Sequence, residues 1–194
     1  MPLPPSLLPS PPLVTPPSPF PQAFTKDFLQ RHGIPTAKYR NFTSADDAIT
    51  YVESLDVSSD RQVVKASGLA AGKGVLLPET LDETIAAIHE IMSDGAFGAA
   101  GDTCVIESHM TGPEASCLAF CDGKTARLMP AAQDHKRALD GDSGLNTGGM
   151  GAYAPAPCVT PELHRTIEAM CVKTVEKMAE MGTPYVGILY AGMM

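Results

Sequence analysis

Basic charge is scarce in this chain of 194 residues. Its 14 lysines and arginines are outnumbered by 22 aspartates and glutamates, for a net charge of −8. That balance argues against nucleic acid or an anionic membrane as a main partner, because both recruit basic surfaces. No apolar run approaches the roughly 18 residues of a membrane span. No C-x-x-C pair occurs among the five cysteines, Cys104, Cys117, Cys121, Cys158 and Cys171. An odd number of cysteines in apolar surroundings reads as free thiols in a reducing cytosol, so a cytoplasmic protein is expected. Charge is absent altogether from the first 21 residues, "MPLPPSLLPSPPLVTPPSPFP", which hold ten of the 18 prolines. A secretory signal needs a basic start and a continuous apolar centre, and neither is there. Residues 1–22 are expected to be a disordered, polyproline-like tail, an inert extension or a start-site or splicing artefact rather than an SH3-type ligand.

A Walker phosphate loop is missing too. In "VVKASGLAAGKGV", residues 63–75, Gly68 and Gly72 are separated by three residues where G-x-x-x-x-G-K-[ST] needs four. Gly74 stands where the Mg²⁺-binding hydroxyl belongs.

What is present describes a soluble globular chain of one or two domains, 44% hydrophobic and 19% charged. From Phe24 onward, helix and strand signals alternate. "FTKDFLQRHG" reads as a short helix closed by Gly33. "SADDAITYVESL" places Ala48, Ile49, Val52 and Leu55 on one helical face behind Ser44 as N-cap. "TLDETIAAIHEIM" opens on a capping box, Thr80 and Glu83, with Leu81, Ile85, Ile88 and Met92 on its apolar side. "TPELHRTIEAMCVKTVEKMAEMG" is a long helix with Pro161 in its first turn and Gly182 after its last. "RQVVKA", "VLLP", "TCVIES" and "PYVGILYA" read as strands, and "ASCLAFCDGKTARLMP" as a hairpin around Asp122-Gly123. Hairpins mixed with helices imply an α+β fold, with antiparallel or mixed sheets flanked by helices.

Three segments carry chemistry. A strand ending near Lys65, a glycine-rich stretch holding Gly72, Lys73 and Gly74, and a return strand make a hairpin lid. Its lysine and amides could meet phosphate oxygens, although many surface hairpins look the same. In "VIESHMTGPEAS" a strand delivers Glu107, and Glu114 follows beyond Met110 and a turn at Gly112. The two carboxylates suit an adenine amino group and a ribose diol, or are two solvated acids at a turn. "AAQDHKRALDGDSGLNTGGMGAYAPAP" gathers Asp134, His135, Lys136, Arg137 and Asn146 around five glycines, Gly148 and Gly149 among them. So polar a loop inside a domain is usually functional. A lone Asp-His pair is more often structural than catalytic.

Taken in order, "FTKDFLQRHGIPTA", "VVKASGLAAGKGV", "AFGAAGDTCVIE", "AQDHKR", "NTGGMGAYAPAP" and "GILYAGMM" resemble successive motifs of the glycinamide ribonucleotide synthetases (phosphoribosylamine–glycine ligases). The likeness runs from about Phe24 to the C-terminus. "ASGLAAGKG" and "SCLAFCDGKT" look closer to the eukaryotic form, where the synthetase is part of a multifunctional purine-pathway polypeptide. The resemblance implies a partial ATP-grasp fold over residues 23–194, incomplete at the C-terminus, and the ligation of glycine to 5-phosphoribosylamine with ATP and Mg²⁺ (or Mn²⁺) through glycyl phosphate. It assigns Lys26, Lys65 and the lid residues Gly72, Lys73 and Gly74 to the nucleotide phosphates. Glu107 and Met110 fall at the adenine and Glu114 at the ribose. Asp134, His135, Lys136, Asn146, Gly148, Gly149 and Met150 face phosphoribosylamine. No covalent catalytic residue is implied. The metal-binding Glu and Asn of the family are expected beyond Met194, so the isolated chain is expected to lack turnover, with "PYVGILYAGMM" as a central strand whose neighbour lies further on. A non-catalytic nucleotide-binding module whose proline-rich tail recruits a partner is the alternative. "ESH" where the family has two glutamates and an aromatic residue, "GPE" for "GEE", and Leu145 for a proline are departures.

Overall fold

A computed structural model describes residues 21–57, 59–68, 74–94, 97–141 and 143–194. The expected tail, residues 1–20, and the lid residues 69–73 lie outside the described residues.

The elements are α1 (Gln22–Arg31), β1 (Tyr39–Phe42), α2 (Ala45–Glu53), β2 (Gln62–Ala66), β3 (Val75–Leu76), α3 (Leu81–Met92), β4 (Cys104–Ser108), β5 (Ala115–Asp122), β6 (Ala126–Leu128), β7 (Gln133–Asp134), β8 (Arg137–Leu139), β9 (Ser143–Asn146), β10 (Ala152–Tyr153), α4 (Pro161–Glu180) and β11 (Val186–Met193). Every strand pair among the described residues is antiparallel. The return strand expected over "VLLP" shrinks to Val75–Leu76.

The first half is a four-stranded sheet in the order β1-β4-β2-β3. Alternation along β2 and β4 sends Val64, Ala66, Cys104 and Ile106 into one core with Val52 of α2 and Ile88 and Ile91 of α3. Each such fully buried aliphatic side chain contributes about 1.5–3 kcal/mol. Ser44 caps α2 by accepting from the Asp47 amide at 3.3 Å. Thr80 caps α3 by accepting from the Glu83 amide, while the Glu83 carboxylate reaches one residue further back than a capping box requires, to the Glu79 amide at 2.7 Å. The buried side of α3 is rotated from expectation toward Thr84, Ala87, Ile88 and Ile91, leaving Leu81, Ile85 and Met92 at its margin. Helix α2 packs beside it and completes that enclosure.

The second half is a three-stranded sheet, β11-β5-β6, covered on one face by α4. Its core joins Ala115, Cys117, Ala119 and Cys121 of β5 to Ile167, Cys171 and Val175 of α4. The hairpin turns at Asp122-Gly123 as expected. Two amides, of Lys124 and Thr125, donate to the Asp122 carboxylate, which holds its pKa below the usual range. Strand β11 lies at the edge, with the neighbour expected further on in the sequence. Among the described residues it bonds to β5, with Ile188 opposite Phe120 and Tyr190 opposite Leu118. The polar stretch expected as one long loop instead folds into two small ribbons, β7 with β10 and β8 with β9.

Candidate functional site

Residues that leave the first core by alternation build the first cluster. Val63 and Lys65 of β2, and Val105 and Glu107 of β4, point to the face opposite α2 and α3, with Val63 in register with Glu107. Helix α1 packs against β4 and delivers Lys26 to the same place. Both lysine ammonium groups form ion pairs with the Glu107 carboxylate, Lys26 at Oε2 and Lys65 at Oε1. Lys26 and Glu107 are buried, 7% and 5% exposed, while Lys65 remains partly open. Lys26 also donates to the Thr36 hydroxyl at 2.8 Å and lies 5.7 Å from the Tyr39 ring centre. Two cations share one anion, so the cluster carries a net positive charge in a place largely closed to water. Such a site favours a further anion, since desolvated charge is costly unless it is compensated.

Strand β1 fixes the helix that carries Lys26. The Tyr39 hydroxyl donates to Asp27 at 2.7 Å, and the Asn41 amide donates to the same oxygen at 2.9 Å. Burial, and then the bond to Asp27, push the Tyr39 hydroxyl up to about 12, so it stays a donor at neutral pH.

The second cluster starts at Glu114, which pairs with Lys136. That bond raises the Lys136 pKa against an opposing effect of burial. The carboxylate expected at the ribose and a lysine expected at phosphoribosylamine are therefore neighbours. Ser116 and Tyr190 hydroxyls lie 3.3 Å apart on the same outer face of β5 and β11. Met110 is exposed on the turn between Glu107 and Glu114.

"QDHKR" and "NTGGMGAY" form one unit. Asp134 pairs with Ala152 and Gln133 with Tyr153 across β7 and β10, and the Tyr153 hydroxyl donates to the Gln133 side chain at 2.5 Å. The His135 carbonyl accepts from the Met150 amide at 2.7 Å, and the His135 amide donates to the Gly151 carbonyl at 2.9 Å. The Thr147 amide and hydroxyl both donate to the Lys136 carbonyl, at 2.6 and 2.9 Å. Gly149 has φ +122, and a Cβ there would lie 2.9 Å from the Asp134 carboxylate, so glycine is required twice over. At Gly148 a Cβ would meet nothing within 4 Å, which leaves its backbone open to a ligand. The His135 ring is exposed and packs 5.1 Å from the Tyr153 ring, and Met150 is exposed as well.

Of the expected site residues, Lys26, Lys65 and Glu107 converge, as do Glu114 and Lys136, and Asp134, His135, Gly149 and Met150 share the ribbon. The Gly74 carbonyl accepts from the Ala66 amide at 2.9 Å and closes the lid hairpin at its root. Gly72 and Lys73 lie outside the described residues. Asn146 pairs with Arg137 through its backbone, and its side chain is outside the described residues. Among the described residues no group of three or more His, Cys, Asp or Glu side chains could hold a metal ion. Sequence reasoning missed Tyr39, Thr36, Tyr190 and Thr147, whose parts depend on tertiary neighbours. Period-two alternation on β1 was the one signal that could have placed Tyr39 on the face of Glu107. Two open clefts, of about 500 Å³ beside β1 and α2 and about 630 Å³ on the outer side of α4, contain none of the expected residues.

Known proteins resemble the chain along most of its length. It is 54% identical over 172 residues to the human "Trifunctional purine biosynthetic protein adenosine-3", covering 88% of this chain and 17% of that protein. It is 53% identical over 174 residues to the phosphoribosylamine–glycine ligase of Pasteurella multocida, covering 89% and 40%. The crystal structure of phosphoribosylamine–glycine ligase from Thermotoga maritima superposes with a TM-score of 0.79 at 31% identity, over 90% of this chain and 44% of that one. The biotin carboxylase domain of a Hydrogenobacter thermophilus carboxylase, solved with MgADP, shares the fold at 15% identity and a TM-score of 0.68, over 89% of this chain and 36% of that one. The chain spans about two fifths of the bacterial relative and about a sixth of the human one. With residues 21–194 matched by the family described as "Phosphoribosylglycinamide synthetase, ATP-grasp (A) domain", the chain belongs to that family and has its ATP-grasp fold.

Proposed function

We propose that this chain is the ATP-grasp portion of a phosphoribosylamine–glycine ligase, acting in purine (IMP) biosynthesis within a larger cytoplasmic, multifunctional polypeptide. ATP, glycine and 5-phosphoribosylamine are its substrates, and glycinamide ribonucleotide, ADP and phosphate its products. The glycine carboxylate attacks the γ-phosphorus to give glycyl phosphate. The amine of phosphoribosylamine then attacks the acyl carbon, and phosphate leaves. Such transfers need positioning and charge neutralisation more than a protein nucleophile.

The observation that carries this reading is the convergence of Lys26 and Lys65, from a helix and a strand, on one buried carboxylate. Their spare positive charge suits nucleotide phosphates, to which the lid residues Gly72, Lys73 and Gly74 are also assigned. Met110 and Glu107 are assigned to the adenine side and Glu114 to the ribose. The ribbon bearing Asp134, His135, Lys136, Asn146, Gly148, Gly149 and Met150 is assigned to phosphoribosylamine. When bound, Mg²⁺ (or Mn²⁺) supplies further charge neutralisation.

Calorimetric titration with ATP tests the nucleotide site. Lys65→Ala is expected to weaken binding by roughly tenfold or more, the value of a charge-assisted hydrogen bond. An unchanged affinity would remove Lys65 from the site. The ligation is tested by exchanging this segment for its counterpart in the Pasteurella multocida ligase and assaying glycinamide ribonucleotide. Retained turnover is expected. A chimera that folds and binds ATP but makes no product would reduce the segment to a nucleotide-binding module.

A further inference from the structure

Helix α1 starts without a cap of its own. Pro21 occupies the N-cap position and offers no side-chain acceptor, although the first four amides of a helix lack intrahelical partners. Two of them are satisfied by a single residue 44 positions away from Ala23. The Gln22 amide donates to the Ser67 carbonyl at 2.7 Å, and the Ala23 amide donates to the Ser67 hydroxyl at 3.1 Å.

Ser67 is itself firmly placed. It is buried, follows the last residue of β2, and donates its amide to the Thr103 carbonyl at 2.9 Å, beside the start of β4. The next residue, Gly68, donates to the Ala100 carbonyl at 3.2 Å, and a Cβ there would lie 2.7 Å from Ala100. The residue at the root of the lid hairpin thus has little freedom. Lys65 lies two positions before it, and Lys26 lies one helical turn beyond the amide it caps. We infer that Ser67 is a positioning residue, a cap supplied in trans that holds the helix bearing Lys26 in register with the strand bearing Lys65. The two ammonium groups then meet one anion rather than two.

This role rests on the proposed nucleotide site, and the test separates the two. Hydrogen exchange of the α1 amides, read without ligand, is expected to speed up in Ser67→Ala and Ser67→Val and to stay near the parent in Ser67→Thr, which keeps the hydroxyl. Exchange in α4 is expected to be unchanged in all three. In ATP titration, Ser67→Ala and Ser67→Val are expected to bind about fivefold more weakly, the scale of a lost N-cap, and Ser67→Thr within about twofold of the parent. The double variant Ser67→Ala, Lys26→Ala is expected to bind no worse than Lys26→Ala, because the cap acts through that lysine. A parent chain that does not bind ATP refutes the nucleotide site, and the exchange measurement still decides whether Ser67 caps α1. Unchanged exchange in Ser67→Val, or fully additive losses in the double variant, would overturn the inference.

Discussion

The two halves of the molecule hold their charged residues by different means. In the first, Lys26 of α1 and Glu107 of β4 are buried against each other, and Lys65 pairs with the same carboxylate. In the second, Glu114 and Lys136 pair with about a third of each side chain open to water, and the ribbon around His135 and Gly149 is shaped by backbone hydrogen bonds. The cores differ as well. Valine and isoleucine predominate behind the first sheet, whereas alanine and cysteine line the second. A buried ionic cluster is costly to break and keeps one geometry. A half-open pair beside a glycine-rich ribbon is less tightly held.

Removing each half's carboxylate is the most direct way to break that contrast. Glu107→Ala leaves two lysines facing each other in a desolvated place and is expected to destabilise the fold by about 3–5 kcal/mol in urea denaturation. Glu114→Ala breaks a half-open pair and is expected to cost at most about 1 kcal/mol. Equal losses would mean that water reaches both clusters alike.

Backbone strain sharpens the picture of the ribbon. Gly149→Ala places a methyl group against the Asp134 carboxylate at a φ that L residues rarely adopt, and is expected to cost about 1–3 kcal/mol. Gly148→Ala, with open space at its Cβ, is expected to stay within about 0.5–1 kcal/mol. If both were tolerated equally, the ribbon would be looser than its hydrogen bonds imply.

The smallest effect concerns the buried thiols, one from each core. Burial pushes Cys104 up to about 12 and Cys171 up to about 11 from an ordinary 9.0. The unfolded chain therefore loses these protons first as pH rises. The stabilisation is complete below pH 9 and is lost progressively as the pH approaches those raised values. At half a pH unit above 9, each thiol is expected to cost the fold roughly 0.7 kcal/mol, visible as a falling melting temperature. Cys104→Ala or Cys171→Ala is expected to flatten that slope in part, because burial also raises Cys117 and Cys121. A slope that neither substitution changes would assign it to other groups.

Local chemistry was legible in the sequence wherever the partner was close in the chain. Ser44 and Thr80 cap the helices expected of them, Asp122-Gly123 turns the hairpin, and Gly33 and Gly182 follow helix ends with positive φ. The α+β class and the antiparallel hairpins follow from the same signals. Pairings made by tertiary packing were not legible. Glu107 meets Lys26 only because α1 lies across β4, and the cap of α1 comes from Ser67 rather than from a residue before the helix. Asp134 faces Gly149 only because the ribbon folds back on itself. The neighbour expected for β11 was placed further on in the sequence, and among the described residues the strand pairs with β5.

The unequal stoichiometry of the Lys26, Lys65 and Glu107 cluster has a practical side. On the proposed nucleotide site, a surplus of one positive charge is expected to draw small anions from the buffer, so that inorganic phosphate or sulfate would compete with nucleotide for the same two ammonium groups. Apparent ATP affinity would then be a property of the solution as much as of the protein. It is expected to be weaker in phosphate buffer than in a zwitterionic buffer of equal ionic strength, while the Glu114 and Lys136 pair, internally neutral, responds to neither.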